Sequence, residues 1–273
     1  MLEIPESYVI ANQLNNTIRG KKIKYVLANQ SPHKFAWYHR NPDDYDELLS
    51  GKTIGSSRPV SGMIEIEAGD CRIVLMEGVS PRYYEDLMKV PKKHQLYIEF
   101  TDDTALVCTV QMYGGMVAFH DGEYDNKYYI LAKKKPSPLT GGFDRQYFRS
   151  LRTEETVKLS AKAFLATEQR IPGLGNGVLQ DILYMAGIHP KRKMKDVSDE
   201  EYDRLFDAVK NTLRMMAEQG GRDTEKDLFG NPGGYVTYLS KNTAFIPCVK
   251  CGYELHKENY MGGTIYYCEN CQK

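Results

Sequence analysis

The stretch "CVKCGYELHKENYMGGTIYYCENC", residues 248–271, holds four cysteines in two C-x-x-C pairs with sixteen residues between the pairs. Each pair can lie on a tight turn that presents two thiolates, and two such turns close a tetrahedron around Zn²⁺. Four thiolates leave no open position on the metal, so the pattern predicts one structural zinc ion. The alternative is four unrelated thiols or a redox pair. The predicted ligands are Cys248, Cys251, Cys268 and Cys271.

The charge balance gives little support to a strong DNA binder. The 273 residues include 36 basic and 36 acidic side chains, so the formal net charge is zero. The segment from Cys248 to Lys273 is equally balanced, with three lysines and three glutamates. Proteins that bind nucleic acid usually carry a basic surface, because neutralising phosphates supplies most of the non-specific affinity. Such a surface would have to arise here by folding.

The composition is that of an ordinary soluble globular protein, with 41% hydrophobic and 26% charged residues. No apolar run is long enough to cross a bilayer, and the first residues lack the pattern of a signal peptide. We therefore expect a cytoplasmic protein with reduced cysteines, no membrane partner and a monomeric state. The two remaining cysteines, Cys71 and Cys108, are expected to be small core residues.

A glycine-rich turn precedes the cysteine segment. The residues "IPGLGNG", 171–177, join two helical patterns. Asn176, directly after Gly175, is expected to cap the second helix, whose first backbone amides would then face an approaching anion. Free amides and the helix dipole together favour a phosphate at such a place. The plain alternative is an ordinary tight turn between two helices.

The rest of the chain divides into a strand-rich first half and a helical second half. A short helix that begins at Pro5 is followed by alternating runs, with hairpin turns at "AGD" and "TDDT". After a proline- and glycine-rich segment the pattern becomes helical, including one helix through residues 153–169 and a capping box at Ser198 and Glu201. The predicted fold class is α+β, with an N-terminal antiparallel β-sandwich, a helical domain and a C-terminal zinc finger. The predicted boundaries are 1–131 for the sandwich, 132–145 for a linker, 146–240 for the helical domain and 241–273 for the finger.

Several short motifs occur together in one order along the chain. They are "LEIPE" at residues 2–6, "LMEG" at 75–78, "IPGLGNG", "GNPGGY" at 230–235 and "YYCENCQK" at the C-terminus. With this set the chain resembles the formamidopyrimidine-DNA glycosylase/endonuclease VIII family of base-excision repair enzymes over nearly its whole length. The resemblance implies a helix–two-turns–helix motif that presents Asn176, and a partner that is double-stranded DNA with a damaged, abasic or distorted site.

The family's activity implies a catalytic role for the N-terminus. In the family the amine of a proline at the second position attacks the sugar carbon and forms a Schiff base, which permits strand cleavage. Glu3 matches the glutamate that handles protons during ring opening, and Glu6 matches a second carboxylate that orients the terminus. Position 2 is Leu2 instead of proline, and the amine of Met1 would be displaced by up to about 3.8 Å. Near-attack geometry tolerates much less than this displacement.

The resemblance also shows which cationic groups are missing. Gly62 stands where the family has a phosphate-binding lysine, and Gly263 stands where the finger has an arginine. Three further positions would fill the gap left by a flipped base. Met76 matches the family's methionine, Tyr113 matches its aromatic wedge, and Gln111 replaces an arginine. A buried pair at the strand ends is the plain alternative for Met76 and Tyr113.

Three functions follow from these matches and mismatches. The first is binding of damaged or distorted DNA with weakened or lost N-glycosylase and AP-lyase activity. The second is an active bifunctional glycosylase that uses the N-terminal amine of Met1 or Leu2. The third is reuse of the scaffold to bind RNA, a ribosomal surface or a protein, for which the many tyrosines could provide stacking surface.

Overall fold

A computed structural model describes residues 2–273 of the chain. These residues form two compact units, which are described separately below. The first unit contains residues 2–130 together with the later segment Glu225–Pro232. The second contains Leu131–Thr224 and Gly233–Lys273. The sheets and helices confirm the predicted α+β class.

The first unit opens with helix α1, Ile4–Thr17, as the proline at position 5 predicts. Its buried face carries Ile10, Ala11 and Leu14, which pack into the core of a β-sandwich. The chain then turns at Gly20, which has a φ of 83°. This conformation suits glycine because the residue has no Cβ, and it ends the helical segment.

Two sheets form the sandwich. The four-stranded sheet has the order β1-β7-β8-β6, and the five-stranded sheet has the order β2-β9-β5-β4-β3. All neighbouring strands are antiparallel except the short β2–β9 pair. The predicted hairpin turns are confirmed, with "AGD" between β4 and β5 and "TDDT" between β7 and β8. The strands are β1 Ile23–Ala28, β2 Ala36–Trp37, β3 Ile54–Val60, β4 Met63–Ala68, β5 Cys71–Leu75, β6 Val79–Tyr84, β7 Leu96–Phe100, β8 Ala105–Val110 and β9 Gly114–His120, with the short helix α2 Tyr45–Leu49 before β3.

The segment Glu225–Pro232 packs with the sandwich although it lies far along the chain. The side chain of Leu228 is completely buried in the sandwich core. Its backbone carbonyl accepts a hydrogen bond from the Tyr83 amide (3.0 Å), and its amide donates to Gln13 Oε1 (3.0 Å). The segment therefore completes the first unit.

The second unit is helical and ends in a β-hairpin. The predicted capping box is confirmed at the start of the longest helix, where the Ser198 hydroxyl accepts from the Glu201 amide and the Glu201 carboxylate accepts from the Ser198 amide. The helices are α3 Lys127–Lys134, which crosses the boundary between the units, α4 Arg145–Ser150, α5 Ala161–Ala166, α6 Asn176–Ala186 and α7 Asp199–Glu218, and the hairpin strands are β10 His256–Tyr260 and β11 Gly263–Tyr267.

The single helix predicted through residues 153–169 is wrong. A short 3₁₀ turn, Thr156–Lys158, is followed by the six-residue helix α5. Leu159 is extended, with ψ near 154°, and the Ser160 hydroxyl accepts from the Ala163 amide to cap α5. A serine that can bond to the backbone ahead of it starts a helix more readily than it continues one.

Among residues 2–273, no helix combines the length and the hydropathy needed to cross a membrane.

Candidate active site and nucleic-acid interface

The first residues of the described chain are buried. Leu2 is 2% exposed and packs in the sandwich core, and Glu3 and Glu6 are 5% and 4% exposed. Glu3 is the N-cap residue of α1, but its side chain makes no capping hydrogen bond. Met1, whose amine was predicted as one possible nucleophile, lies outside the described residues. Two carboxylates are therefore held inside the protein at the start of the chain.

A hydrogen bond fixes the first turn of α1 to the β3–β4 turn. The Ser7 hydroxyl donates to the Ser61 carbonyl oxygen at 2.5 Å. Ser61 has a φ of 57°, and Gly62 follows it in the turn before β4. The position expected to carry a phosphate-binding lysine thus lies in a turn beside the N-terminal helix, and it carries no side chain.

Glu77 is a third carboxylate of this region, and it is not among the predicted site residues. It follows β5 in the motif "LMEG". Burial, and to a smaller extent the nearby charge of Glu3, together raise the pKa of Glu77 from 4.5 to about 7. A carboxyl with this pKa holds its proton over part of the physiological range and can exchange it. The sequence signal was the glutamate inside an otherwise apolar motif.

An aromatic surface lies next to these carboxylates. The rings of Tyr113 and Trp37 are stacked, with centroids 6.4 Å apart and planes 6° apart. Tyr113 is 39% exposed and Trp37 is 41% exposed. Burial, Glu77 and Glu3 all raise the pKa of the Tyr113 hydroxyl, which places the ring in the field of both carboxylates. Trp37 was not anticipated, because it lies more than seventy residues before Tyr113 in the sequence.

Two glycines allow this surface to form. A Cβ on Gly78, whose φ is 88°, would lie 1.8 Å from the Tyr113 carbonyl oxygen. A Cβ on Gly115 would lie 2.3 Å from Trp37 Nε1 and 2.7 Å from Met76 Sδ. The structure therefore brings the predicted Met76 and Tyr113 to one place. Met76 itself is buried, which suits the plain alternative of a core residue as well.

Gln111 lies in the connection between β8 and β9, two residues before Tyr113, and its side chain is exposed. An exposed amide can donate hydrogen bonds but carries no charge. Gln111 thus lies on the same loop as Tyr113, and its side chain brings no positive charge to that loop.

A small cavity lies beneath the second carboxylate. Its volume is about 20 Å³, and charged residues of both signs line it, namely Glu6, Arg82, Glu225 and Lys226. Leu2 forms part of the apolar wall. The volume is sufficient for about one water molecule. The cavity connects Glu6 with the late segment of the chain and leaves no room for a nucleotide.

In the second unit, Asn176 is the first residue of α6, and Gly175 occupies the N-cap position without a side-chain cap. The prediction that Asn176 caps the helix is therefore wrong by one position. Its side-chain amide instead donates to the Thr264 carbonyl oxygen of the finger hairpin at 2.8 Å. Gln180, one turn later, donates to the same oxygen at 3.1 Å. The Asn176 Oδ1 atom is buried and has no hydrogen-bond partner among the described residues.

Gly263 packs directly on this asparagine. A Cβ at Gly263 would lie 3.3 Å from three atoms of the Asn176 side chain. Contacts this short require the neighbour to move, and Asn176 is held by Thr264. A side chain at this position, including the expected finger arginine, would therefore require Asn176 to shift by a few tenths of an ångström.

The four predicted ligand cysteines come together at the base of the hairpin. Their sulfur atoms all lie within 4.8 Å of one another. The Cys248–Cys271 and Cys251–Cys268 sulfur distances are 3.7 and 3.5 Å. Zinc–thiolate bonds of about 2.3 Å give a tetrahedral edge of about 3.8 Å. The cluster thus has the dimensions of a closed tetrathiolate site, and the Tyr184 hydroxyl lies 3.1 Å from the Cys248 sulfur.

Several cations near the hairpin are already bound by protein groups. Lys191, in the basic run after His189, forms an ion pair with Glu258 of the hairpin. Arg192 makes two hydrogen bonds of 2.7 Å to Glu201. Lys162 is buried, and its ammonium donates to the Tyr260 carbonyl oxygen at 2.5 Å. These internal partners reduce the positive charge that is available to a phosphate backbone.

Comparisons with known proteins agree with this arrangement. Residues 135–227 match the model of the formamidopyrimidine-DNA glycosylase H2TH domain. The chain is 29% identical to the formamidopyrimidine-DNA glycosylase of Brevibacillus brevis over 285 aligned residues, covering 100% of this chain and 99% of that one. It is 28% identical to the enzyme of the same name from Listeria innocua, with 100% of both chains covered.

Solved structures show the same fold. The protein from Lactococcus lactis in complex with DNA that contains an abasic site superposes with a TM-score of 0.83, at 22% identity, over 99% of both chains. A protein from Thermus thermophilus gives a TM-score of 0.82 at 21% identity, over 99% of this chain and 98% of that one. The matched domain, the full-length relatives and the clustered cysteines show that the chain carries a formamidopyrimidine-DNA glycosylase H2TH domain and is similar along its whole length to formamidopyrimidine-DNA glycosylases.

Proposed function

We propose that the protein binds double-stranded DNA at damaged, abasic or distorted sites, and that its N-glycosylase and AP-lyase activities are weakened or lost. Similarity to formamidopyrimidine-DNA glycosylases, and complexes of structurally similar proteins with THF-DNA or with DNA that contains an abasic site, support the DNA partner. The stacked Trp37 and Tyr113 rings support recognition of a gap in the base stack, because aromatic faces bind unstacked bases without regard to sequence.

The observation that carries the loss of activity is the burial of Leu2. A nucleophile has to approach the sugar carbon to about 3–3.5 Å. While Met1 is attached, the Leu2 nitrogen is an amide and not a nucleophile. If Met1 is removed, any movement of the freed residue towards DNA exposes a side chain now packed in the core, which costs about 1.5–3 kcal/mol.

Three positively charged side chains of the family's motifs are absent from this chain. We therefore expect its binding to DNA to be weaker, and less dependent on salt, than the binding of a protein that carries them. Gly62, Gly263 and Gln111 replace a lysine and two arginines in that pattern. Each phosphate contact contributes about 0.9 to the slope of log K against log salt on duplex DNA. The two missing phosphate contacts, at Gly62 and Gly263, would therefore lower the slope by up to about 2 and reduce non-specific affinity most.

The proposed contacts come from both units. In the first unit they are Met76, Gln111 and Tyr113 at the gap, with Glu3 and Glu6 at the positions that match the family's two carboxylates. In the second unit they are Gly175 and Asn176 at the start of α6. The Asn176 Oδ1 atom can only accept hydrogen bonds, and the side-chain NH₂ group is already bonded to Thr264. A phosphate would therefore be bound by backbone amides near the start of α6, or by the Asn176 NH₂ group after its hydrogen bond to Thr264 is broken.

We further propose that the four-cysteine cluster binds one structural Zn²⁺. The sulfur–sulfur distances fit the ion, and the four protein ligands leave it no reactive position. When bound, the ion supplies the energy that holds the hairpin β10–β11 to its two cysteine turns. Because all four proposed ligands lie between residues 248 and 271, we also propose that residues 241–273 form a separate finger after the helical residues 146–240.

A second candidate is a retained lyase that uses the N-terminal amine of Met1 or Leu2. The observation in its favour is the Glu3–Glu77 pair, because a carboxyl with a pKa near 7 is suited to general acid–base catalysis. A primary amine can form the same imine as proline. The two candidates differ in one measurable product, a nicked strand.

The test uses the full-length protein and three duplexes: undamaged, with a natural abasic site, and with a tetrahydrofuran analogue that cannot be cleaved by β-elimination. Quenching of the single tryptophan, Trp37, reports binding. We expect tighter binding to both damaged duplexes than to the undamaged one, without nicking and without a borohydride-trapped adduct. The Leu2→Pro variant is expected to gain nicking, and Leu2→Ile, which keeps a bulky apolar side chain at this position, serves as its matched control.

Two results would count against the proposal. Nicking and trapping by the natural sequence, abolished in Glu3→Gln, would establish the retained lyase instead. Binding to single-stranded or duplex RNA that is tighter than binding to abasic DNA would favour the reused scaffold.

A further inference from the structure

Three potential metal ligands of different chemistry meet on the first unit, away from the residues discussed above. Asp70 lies in the β4–β5 turn, Cys71 begins β5, and His120 ends β9. Cys71 and His120 are direct cross-strand partners, so their side chains share one face of the sheet. One ligand atom from each residue lies within 4.8 Å of the other two.

The three separations have the dimensions of a zinc site. Cys71 Sγ lies 3.5 Å from His120 Nδ1, and His120 Nδ1 lies 3.1 Å from Asp70 Oδ2. Cys71 Sγ lies 3.9 Å from Asp70 Oδ1. Bonds of about 2.0–2.3 Å to nitrogen, oxygen and sulfur give tetrahedral edges of about 3.3–3.6 Å. The two contacts to Asp70 reach different oxygens of its carboxylate, and a single ligand oxygen lies within 4.8 Å of both other ligand atoms. An ion bound through one oxygen therefore needs these distances to shorten by up to about 1.3 Å, which rotation of the exposed Asp70 carboxylate can provide.

We propose that Asp70, Cys71 and His120 form a second metal site, which takes one Zn²⁺ with water as the fourth ligand. A thiolate, an imidazole and a carboxylate together favour zinc over the hard cations Mg²⁺ and Ca²⁺. Asp70 and His120 are exposed, so the ion and its water can enter from solvent. Cys71 is buried behind them and closes the inner side.

The surroundings fit an ion with two positive charges. The thiolate and the carboxylate supply two negative charges, and Lys52 forms an ion pair with Asp70 Oδ1, leaving Oδ2 directed at His120. A ligating carboxylate is usually hydrogen-bonded by a second group in this way. Binding would release the proton of the Cys71 thiol to solvent, so affinity is expected to rise with pH.

The site would tie the β4–β5 turn to the end of β9 and would shield the Cys71 thiol from oxidation. Without a metal the three side chains form an ordinary hydrogen-bonded cluster around a lysine. The protein would bind two metal ions per chain if this site is occupied and one if it is not, because the finger accounts for one ion only. The proposal is independent of whether the protein binds DNA or cleaves it.

The experiment measures zinc per chain on the full-length protein with a loaded finger, and then titrates Co²⁺ as a spectroscopic probe. We expect a second equivalent, with a charge-transfer band of a single thiolate. His120→Ala and Asp70→Asn are expected to weaken the second equivalent by more than about a hundredfold, since changes outside the ligand shell already cost 10–100-fold. The first equivalent remains in both variants.

His33→Ala and Asp121→Asn are matched controls from the same unit, and they are expected to keep both equivalents. Asp121 lies beside His120 but pairs with Arg72. Because Asp70, His120 and Asp121 are exposed and His33 is only half-buried, metal-free melting curves should match the natural sequence and exclude a folding defect. One equivalent in the natural sequence, or a second equivalent that persists in both ligand variants, would overturn the proposal.

Discussion

Replacement of Glu77 by glutamine tests how the buried carboxylates near the N-terminus affect stability. Burial, helped by Glu3, raises the pKa of Glu77 from 4.5 to about 7. The folded chain therefore holds this proton more tightly than the unfolded chain. Stability is lost as the pH rises from about 4.5 to about 7, and the full loss is about 3 kcal/mol above pH 7.

Glutamine has the same shape and no charge, so it removes this loss. We expect Glu77→Gln to raise the free energy of unfolding of the first unit by up to about 3 kcal/mol at pH 8, and by less than about 1 kcal/mol at pH 5. Urea unfolding followed by the fluorescence of Trp37 measures it, since the only tryptophan of the chain lies in that unit.

Glu47→Gln is the matched control, because Glu47 is exposed on α2. Its effect should stay within about 0.5 kcal/mol at both pH values. A Glu77→Gln variant that is equally stabilised at pH 5 and pH 8, or destabilised at pH 8, would refute the assignment of a buried, proton-holding carboxyl. It would also remove the observation that favours a retained lyase.

Three further predictions concern the backbone, the aromatic surface and the finger. Gly78→Ala should destabilise the first unit by about 3 kcal/mol or more, since it combines a positive φ with a Cβ 1.8 Å from a carbonyl oxygen. The control is Gly122→Ala, where φ is 91° and a Cβ would have nothing within 4 Å. It should cost only about 1–2 kcal/mol in the same urea assay. Trp37→Ala should weaken binding to abasic duplex about 5–150-fold in an anisotropy assay, with little change on undamaged duplex, whereas Tyr128→Ala should change neither. Cys268→Ser should remove the finger zinc and unfold the hairpin, seen as loss of one metal equivalent and of protection from proteolysis; an intact hairpin without metal would contradict the structural role.

The sequence predicted the features whose signals are local. Two cysteine pairs with fixed spacing, a serine and a glutamate three residues apart, and alternating runs around "AGD" each depend on neighbours along the chain. The motifs also indicated the family, and with it the positions of Glu3, Met76 and Tyr113. These features can be predicted from the sequence because the residues that produce each of them lie within a short stretch of the chain.

The features that were missed depend on contacts between distant segments. The proton held by Glu77 depends on burial and on Glu3, which lies more than seventy residues earlier. The stack of Trp37 on Tyr113 depends on a two-residue parallel strand pair. The helix start at Gly175 differs from the expected cap because Asn176 bonds to Thr264, a residue on the finger hairpin. No window of neighbouring residues contains these partners.

The late segment that completes the sandwich determines when the first unit can finish folding on the ribosome. Leu228 and its bonds to Tyr83 and Gln13 become available only after residues 131–224 have been synthesised. At about 5–20 residues per second this delay is about 5–20 s. During that interval the nascent sandwich lacks one of its core side chains, so a chaperone would have its longest opportunity to bind there.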